Sequence, residues 1–180
     1  MGRTAVSLPE QGRAVQDDLE LHCQSPNELP PGLLDQIEAL VRDGQAVGTD
    51  YVRHNLERAH LIAYALEGSR VVATVTLKNP RTEYVRRLKR RTGLDLAGYL
   101  ERGYTSVRSG FSGRGLGTRL VRYLTEQAPG RQIYVVIAMH NRAAQAISIR
   151  CGTQLAARFF SRATGQEYGV WIQGPLPKQA

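Results

Sequence analysis

Tyr104-Thr105-Ser106-Val107 and, four residues on, Ser112-Gly113-Arg114-Gly115-Leu116-Gly117 decide how this 180-residue chain is read. The first group has the composition of a strand. The second is a glycine-rich turn, and Leu116, Leu120, Val121 and Leu124 behind it recur at helical spacing until Pro129-Gly130 stops them. A strand, a glycine turn and a helix in that order make an anion site. Glycine lets backbone N–H groups approach a phosphate with no Cβ in the way. The N-terminus of the helix adds partial positive charge directed at the anion. By itself the turn also fits a mere tight connection or a dinucleotide fingerprint. No βαβ unit with a distal acid surrounds it, which argues against a dinucleotide, and no Gly-Lys-Ser/Thr follows, which excludes a kinase-type P-loop.

Downstream, Ile133 to Met139 is almost wholly apolar, as a central strand covered on both faces would be. Ala143 to Arg150 reads as a helix closed by Gly152, and Leu155–Phe160 and Tyr168–Ile172 as two strands turning at Thr164-Gly165. Upstream, Leu61–Leu66 and Val71–Leu77 are strands joined at Glu67-Gly68-Ser69-Arg70, a good hairpin turn. Before them come a half-buried strand at Asp18–Cys23, an amphipathic helix carrying Leu33, Leu34, Ile37, Leu40 and Val41 as far as Gly44, and a shorter helix at Tyr51–Arg58. The first sixteen residues are expected to be loosely ordered. Residues 79–100 look like an insertion, with Arg86, Arg87, Lys89, Arg90 and Arg91 on a helix interrupted at Gly93. The pattern predicts a single α/β domain with a mixed, mostly antiparallel sheet of about seven strands flanked by helices.

Composition bounds the function. Apolar residues make up 42% of the chain, enough for a real core. No long apolar run or signal-type N-terminus is present, so a cytoplasmic protein with no membrane partner is expected. Cys23 and Cys151 fit no disulfide framework and no metal motif, and are read as buried small apolar residues; no metal is expected. The net charge of +8 is unevenly spread. Residues 1–69 carry five basic and eleven acidic side chains, residues 70–180 nineteen and five. The second part is therefore expected to meet something anionic, a phosphorylated cofactor or nucleic acid. The basic cluster within residues 78–91 would serve RNA, an acidic protein or a phosphate of a cofactor, but no aromatic residues interleave it for base stacking, so a solvated helix face is the simpler reading.

The segment Glu101 to Leu120 resembles the cofactor-binding segment of the GNAT superfamily of N-acetyltransferases. That pattern is a strand ending in Val, then Arg/Gln-x-x-Gly-x-Gly/Ala opening a helix. Val107 ends the strand here, Gly115 and Gly117 match the two small positions, and Ser112 stands where Arg or Gln is usual. A second family pattern, Asn-x-x-Ala with a later aliphatic residue, Tyr and closing Gly, is matched by Asn141, Ala144, Ile147 and Gly152, with Ser148 in place of the Tyr. With the strand order, the resemblance covers about residues 60–173. It implies acetyl-CoA as co-substrate, held between two splayed parallel strands at Tyr104–Val107 and Ile133–Met139. The cofactor-binding set it implies is Ser106, Val107, Ser112, Gly113, Arg114, Gly115, Leu116, Gly117, Thr118 and Asn141.

The implied reaction is direct attack of a primary amine on the thioester, which needs orientation, a base and an acid. Glu101 stands where many relatives carry a glutamate and is the candidate base. His140, ending the central strand, is a second proton carrier. Ser148 occupies the acid's position, and since it is a far weaker acid than tyrosine, Tyr104, Tyr134 or water is the alternative. The acceptor is expected to be a small-molecule or macromolecular amine, with about residues 18–60 as one wall of its site and their acidity favouring a cation. A monomer or homodimer is expected. Two other classes fit: a CoA-binding sensor without turnover, suggested by Ser112 and Ser148, and an RNA-binding module built on the 78–91 cluster.

Overall fold

The computed structural model describes residues 19–44 and 51–177. Asp18 and the segment expected to be loosely ordered lie outside them. Seven strands form one sheet: β1 (Glu20–Gln24), β2 (Ala59–Glu67), β3 (Arg70–Lys78), β4 (Leu100–Val107), β5 (Ile133–Ala138), β6 (Thr153–Ser161) and β7 (Gln166–Gln173). Their order across the sheet is β1-β2-β3-β4-β5-β7-β6. Every neighbouring pair is antiparallel except β4 with β5.

Among the described residues five α-helices cover the sheet: α1 (Leu33–Asp43), α2 (Val52–Glu57), α3 (Thr82–Thr92), α4 (Leu116–Glu126) and α5 (Arg142–Arg150). Strand alternation sends side chains to two separate layers. On β2, Ala63 and Ala65 face α4, where Leu116, Leu120, Val121 and Leu124 are buried. Ile62 and Tyr64 face α1 and α2 and meet Ile37, Leu40, Val52 and Leu56. On β5, Tyr134 and Val136 lie in the layer of α3, while Val135 and Ile137 lie with Ala144 of α5. Both faces of β5 are covered, which is why its sequence is apolar throughout. Burying a Leu or Val of this kind is worth up to ~1.5–3 kcal/mol, so α4 is pinned by four such side chains.

The 79–100 segment packs as a layer against the sheet. Leu88 of α3 packs with Leu94, Leu96 and Tyr99 over Tyr134, Val170 and Ile172. Gly93 caps the helix at φ 73°, and its N–H donates to the Lys89 carbonyl at 2.8 Å. The basic side chains are exposed, and at the margin of this cluster Arg87 sits over the Tyr84 ring and Arg91 over that of Phe159.

Several strand boundaries differ from expectation. β1 starts and ends later than Asp18–Cys23, at Glu20–Gln24. β4 begins at Leu100 instead of Tyr104. Charges at Glu101 and Arg102 hide its first half from a hydrophobic reading; Glu101 is accommodated by Lys78 across the β3 register, and Arg102 reaches the Ser148 hydroxyl. The cysteines are half-buried rather than buried, and both are free thiols. Burial pushes Cys23 up to about 11 and raises Cys151 as well.

Candidate active site

The site begins where β4 and β5 part. The two strands pair only at Leu100 with Ile133 and Glu101 with Tyr134, although β4 runs on to Val107 and β5 to Ala138. A bulge on β4 helps to turn it away: Tyr104 adopts φ 52°, and the register against β3 shifts between Thr74 and Thr76. A bulge of this type bends a strand and re-aims its side chains. The resulting wedge is an open cleft of about 1240 Å³. Residues 102–107 of β4 form one wall and residues 135–138 of β5 the other, with the glycine turn at one end.

Gly113 (φ 77°) and Gly115 (φ 78°) are left-handed, and Gly115 is the N-cap of α4. The first bond of the helix runs from Arg119 N–H to the Gly115 carbonyl at 3.0 Å, so the amides of the first helical turn have no acceptor within the helix. Leu116, Gly117 and Thr118 of that turn line the cleft. The two family-matching glycines serve different ends. A Cβ on Gly115 would meet nothing within 4 Å, so its need for glycine is conformational. A Cβ on Gly117 would come within 3.1 Å of Ile147 Cδ1 and 3.6 Å of Val107 Cγ2, so that glycine lets α4 sit close against α5 and β4.

Of the residues singled out from sequence, Tyr104, Ser106, Val107, Ser112, Gly113, Gly115, Leu116, Gly117, Thr118, His140, Asn141 and Ser148 line this cleft. Glu101 and Arg114 are not among its lining residues. Glu101 is 12% exposed and forms an ion pair at 3.1 Å with Lys78, itself 12% exposed. Lys78 Nζ also stands 4.5 Å from the centre of the Tyr104 ring, and Asn55 donates to the Tyr104 hydroxyl at 2.6 Å. Glu101, Lys78, Tyr104 and Asn55 thus form one polar group beside α2. Burial, and after it the field of Glu101, pushes the Tyr84 and Tyr134 phenols up, so Tyr134 is poorly suited to give a proton.

Asn141 has a structural job. Its Oδ1 accepts from the Ala144 N–H at 3.0 Å, capping α5. The Asn-x-x-Ala pattern is therefore a helix start. His140 is exposed beside it. Ser112 is also exposed, and its hydroxyl donates to the Arg108 carbonyl at 3.3 Å.

Sequence reasoning passed over Arg102. It is 2% exposed, and its Nη2 donates to Ser148 Oγ at 2.6 Å. The period-two pattern of β4 was the available signal, since Leu100 and Arg102 share a face and Leu100 is apolar. The acidity of residues 1–69 also reads differently in three dimensions. Arg53 pairs with Asp35, Glu38 and Glu57, and Arg42 with Glu38, so much of that charge is neutralised internally. Leu40, Val41, Asp43 and Gly44 at the end of α1 do line the cleft.

Among the described residues no group of three metal-ligating side chains is present, and no helix is long and apolar enough to cross a membrane. Among curated proteins none matches the sequence significantly. Solved structures match its fold. An acyl-CoA N-acyltransferase from Pseudomonas aeruginosa superposes with a TM-score of 0.63 at 17% identity, covering 87% of this chain and 99% of its own. NAA60 of Arabidopsis thaliana in complex with acetyl-CoA gives 0.65 at 13% identity, covering 87% and 100%. The ribosomal-protein-S18-alanine N-acetyltransferase of Escherichia coli gives 0.61 at 13%, covering 89% and 97%. These likenesses carry the fold. The sequence itself matches the acetyltransferase (GNAT) family model over residues 33–152, two-thirds of the chain and including the cleft's strands, glycine turn and α5, so the chain belongs to that acyltransferase family.

Proposed function

We propose that the protein transfers an acetyl group from acetyl-CoA to a primary amine by direct attack on the thioester. The observation that carries this reading is the junction of two features in one cleft. A left-handed glycine N-cap opens α4, and beside it β4 and β5 separate after two rungs. The first supplies amide donors and a helix N-terminus for a pyrophosphate. The second leaves strand-edge N–H and C=O groups to pair with an amide-bearing arm, as an extended ligand adds to an open sheet edge. One structural relative, NAA60, is solved with acetyl-CoA.

Acetyl-CoA supplies an activated acyl group. The chain's own residues do the rest. The glycine turn and Thr118 hold the phosphates, with Ser112 and Arg114 beside them. Ser106 and Val107 position the arm, and backbone N–H groups near the Tyr104 bulge polarise the carbonyl. Glu101 takes the proton that the amine must lose, through water or through the Tyr104 hydroxyl, since it lies off the cleft lining. His140 at the mouth is a second route for that proton to solvent. The end of α1 forms one wall of the acceptor site.

Native mass spectrometry of the purified protein tests the binding claim, with a bound CoA species expected. A panel of amines, scored by free thiol released from acetyl-CoA, tests transfer. Binding with no turnover across the panel would favour a CoA sensor. That reading has its own support in Glu101, which Lys78 already engages. No CoA binding by calorimetry would overturn both.

A further inference from the structure

Arg102 is a charged side chain in the wrong place for a structural role. Removing a guanidinium from water is costly unless a partner anion offsets it. Among the described residues no carboxylate forms an ion pair with Arg102; its Nη2 has only the neutral Ser148 hydroxyl, and its buried Nη1 has no hydrogen-bond partner. Burial pushes its guanidinium down to about 10, with the Cys151 thiol the titratable neighbour opposing that shift. Arg122 on α4 faces Cys151 as well.

Its location says what anion is missing. Glu101 and Tyr134 make the last rung between β4 and β5, so Arg102 is the first residue of β4 past the point of separation. Arg102 and Ser148 both line the cleft there. Ser148 Oγ accepts from Arg102, which leaves the hydroxyl proton of Ser148 to point elsewhere. A serine oxygen that accepts from a cation is also a better donor, because the bond polarises its own O–H.

We propose that Ser148 and Arg102 together form an anion hole for the sulfur that leaves in the transfer, Ser148 donating to it and Arg102 acting as the positioning residue that aims Ser148 and supplies the charge. This rests on the acyl-transfer reading above. In the step, the amine nitrogen forms the C–N bond and the C–S bond breaks with its electron pair going to sulfur. The thiolate is held by the Ser148 hydroxyl in the field of Arg102. It then takes up a proton equivalent to the one the amine gave up, so acyl donor and amine become amide and thiol. The pair stabilises the thiolate without needing an acid as strong as a tyrosine phenol.

The test is calorimetric affinity for CoA and for desulfo-CoA, which lacks only the thiol, from about pH 7 to about pH 9, bracketing an ordinary thiol's ~8.5. Desulfo-CoA cancels every protein titration common to both ligands, those of Cys151 and His140 included. A hole that favours thiolate lowers the bound thiol's pKa, so affinity for CoA relative to desulfo-CoA rises with pH, by at most about tenfold per unit. Arg102→Met should flatten that rise while desulfo-CoA affinity stays within about twofold, and Arg102→Lys should restore part of it. Methionine in place of a buried arginine is often tolerated; should the variant misfold, Ser148→Ala reads the same slope. In turnover, Arg102→Met should lower kcat by about a hundredfold, the scale of losing a donor to a developing anion, with KM for acetyl-CoA little changed. A CoA-to-desulfo-CoA ratio that is flat in the wild type, or unchanged in both variants, overturns the proposal while leaving CoA binding intact. So does a flat ratio with a preference for succinyl-CoA that Arg102→Met abolishes, since Nη1 would then serve an acyl carboxylate. Absence of binding by either ligand would instead defeat the function on which the proposal stands.

Discussion

Glu101 and Arg102 are neighbours in β4, yet the faces they serve follow different rules. On the α2 side every charge has company: Glu101 meets Lys78, Lys78 lies over Tyr104, and Asn55 holds the Tyr104 hydroxyl. On the α5 side Arg102 is more secluded still and has only a neutral serine, with one nitrogen unpartnered. A satisfied polar group stiffens a core, whereas an unsatisfied one is a standing cost. The difference separates the two halves of the chemistry. The closed network would handle the incoming amine's proton, and the open one awaits a charge that only the reaction brings.

Four substitutions break or sharpen that contrast. Gly115→Asp should have the largest effect. It puts a side chain on a left-handed residue and a carboxylate where an anion should bind, and calorimetry should show CoA affinity falling by more than about a hundredfold. Circular dichroism should show the fold retained, because no neighbour lies within 4 Å of a Cβ there. Glu101→Gln disturbs the closed network. Turnover should drop by about a hundredfold with CoA affinity held, and an unaltered pH–rate profile would remove Glu101 as base. Leaving Lys78 without a charged partner should also cost ~1–3 kcal/mol in a urea melt. Gly117→Ala acts on the other face by geometry alone. Its Cβ must displace Ile147, so a loss of about 1 kcal/mol and a several-fold weaker CoA affinity are expected, whereas unchanged stability would show that Ile147 yields freely. Asn141→Ala removes only a helix cap. About 1 kcal/mol of stability should go, with CoA affinity nearly unchanged; a large affinity loss would mean the side chain also contacts ligand.

These contrasts also mark how far the sequence could be read. The glycine turn was legible because its residues act through backbone conformation and an apolar period behind it, both local properties. β5 was legible for its unbroken apolar run. The start of β4 was not, since Glu101, Arg102 and Gly103 have no strand signature until Lys78 and Ser148 are brought from 23 and 46 positions away. The same distance hid Arg102 from the list of site residues. Ser148 looked like a missing tyrosine in one dimension and is half of a hydrogen-bonded pair in three. The acidic N-terminal part misled in the opposite sense, because Arg53 gathers three of its carboxylates.

The separation of β4 from β5 has one more consequence. A sheet normally closes its ladders during folding, but this one keeps a gap at its centre, flanked by β3 on one side and β7 on the other. A ligand that bridges the gap supplies the missing rungs, and anything that binds only the folded chain stabilises it by mass action. The durability of the protein then tracks the supply of that ligand. Without it the two halves of the sheet are joined by two residue pairs; with it they would become one continuous sheet.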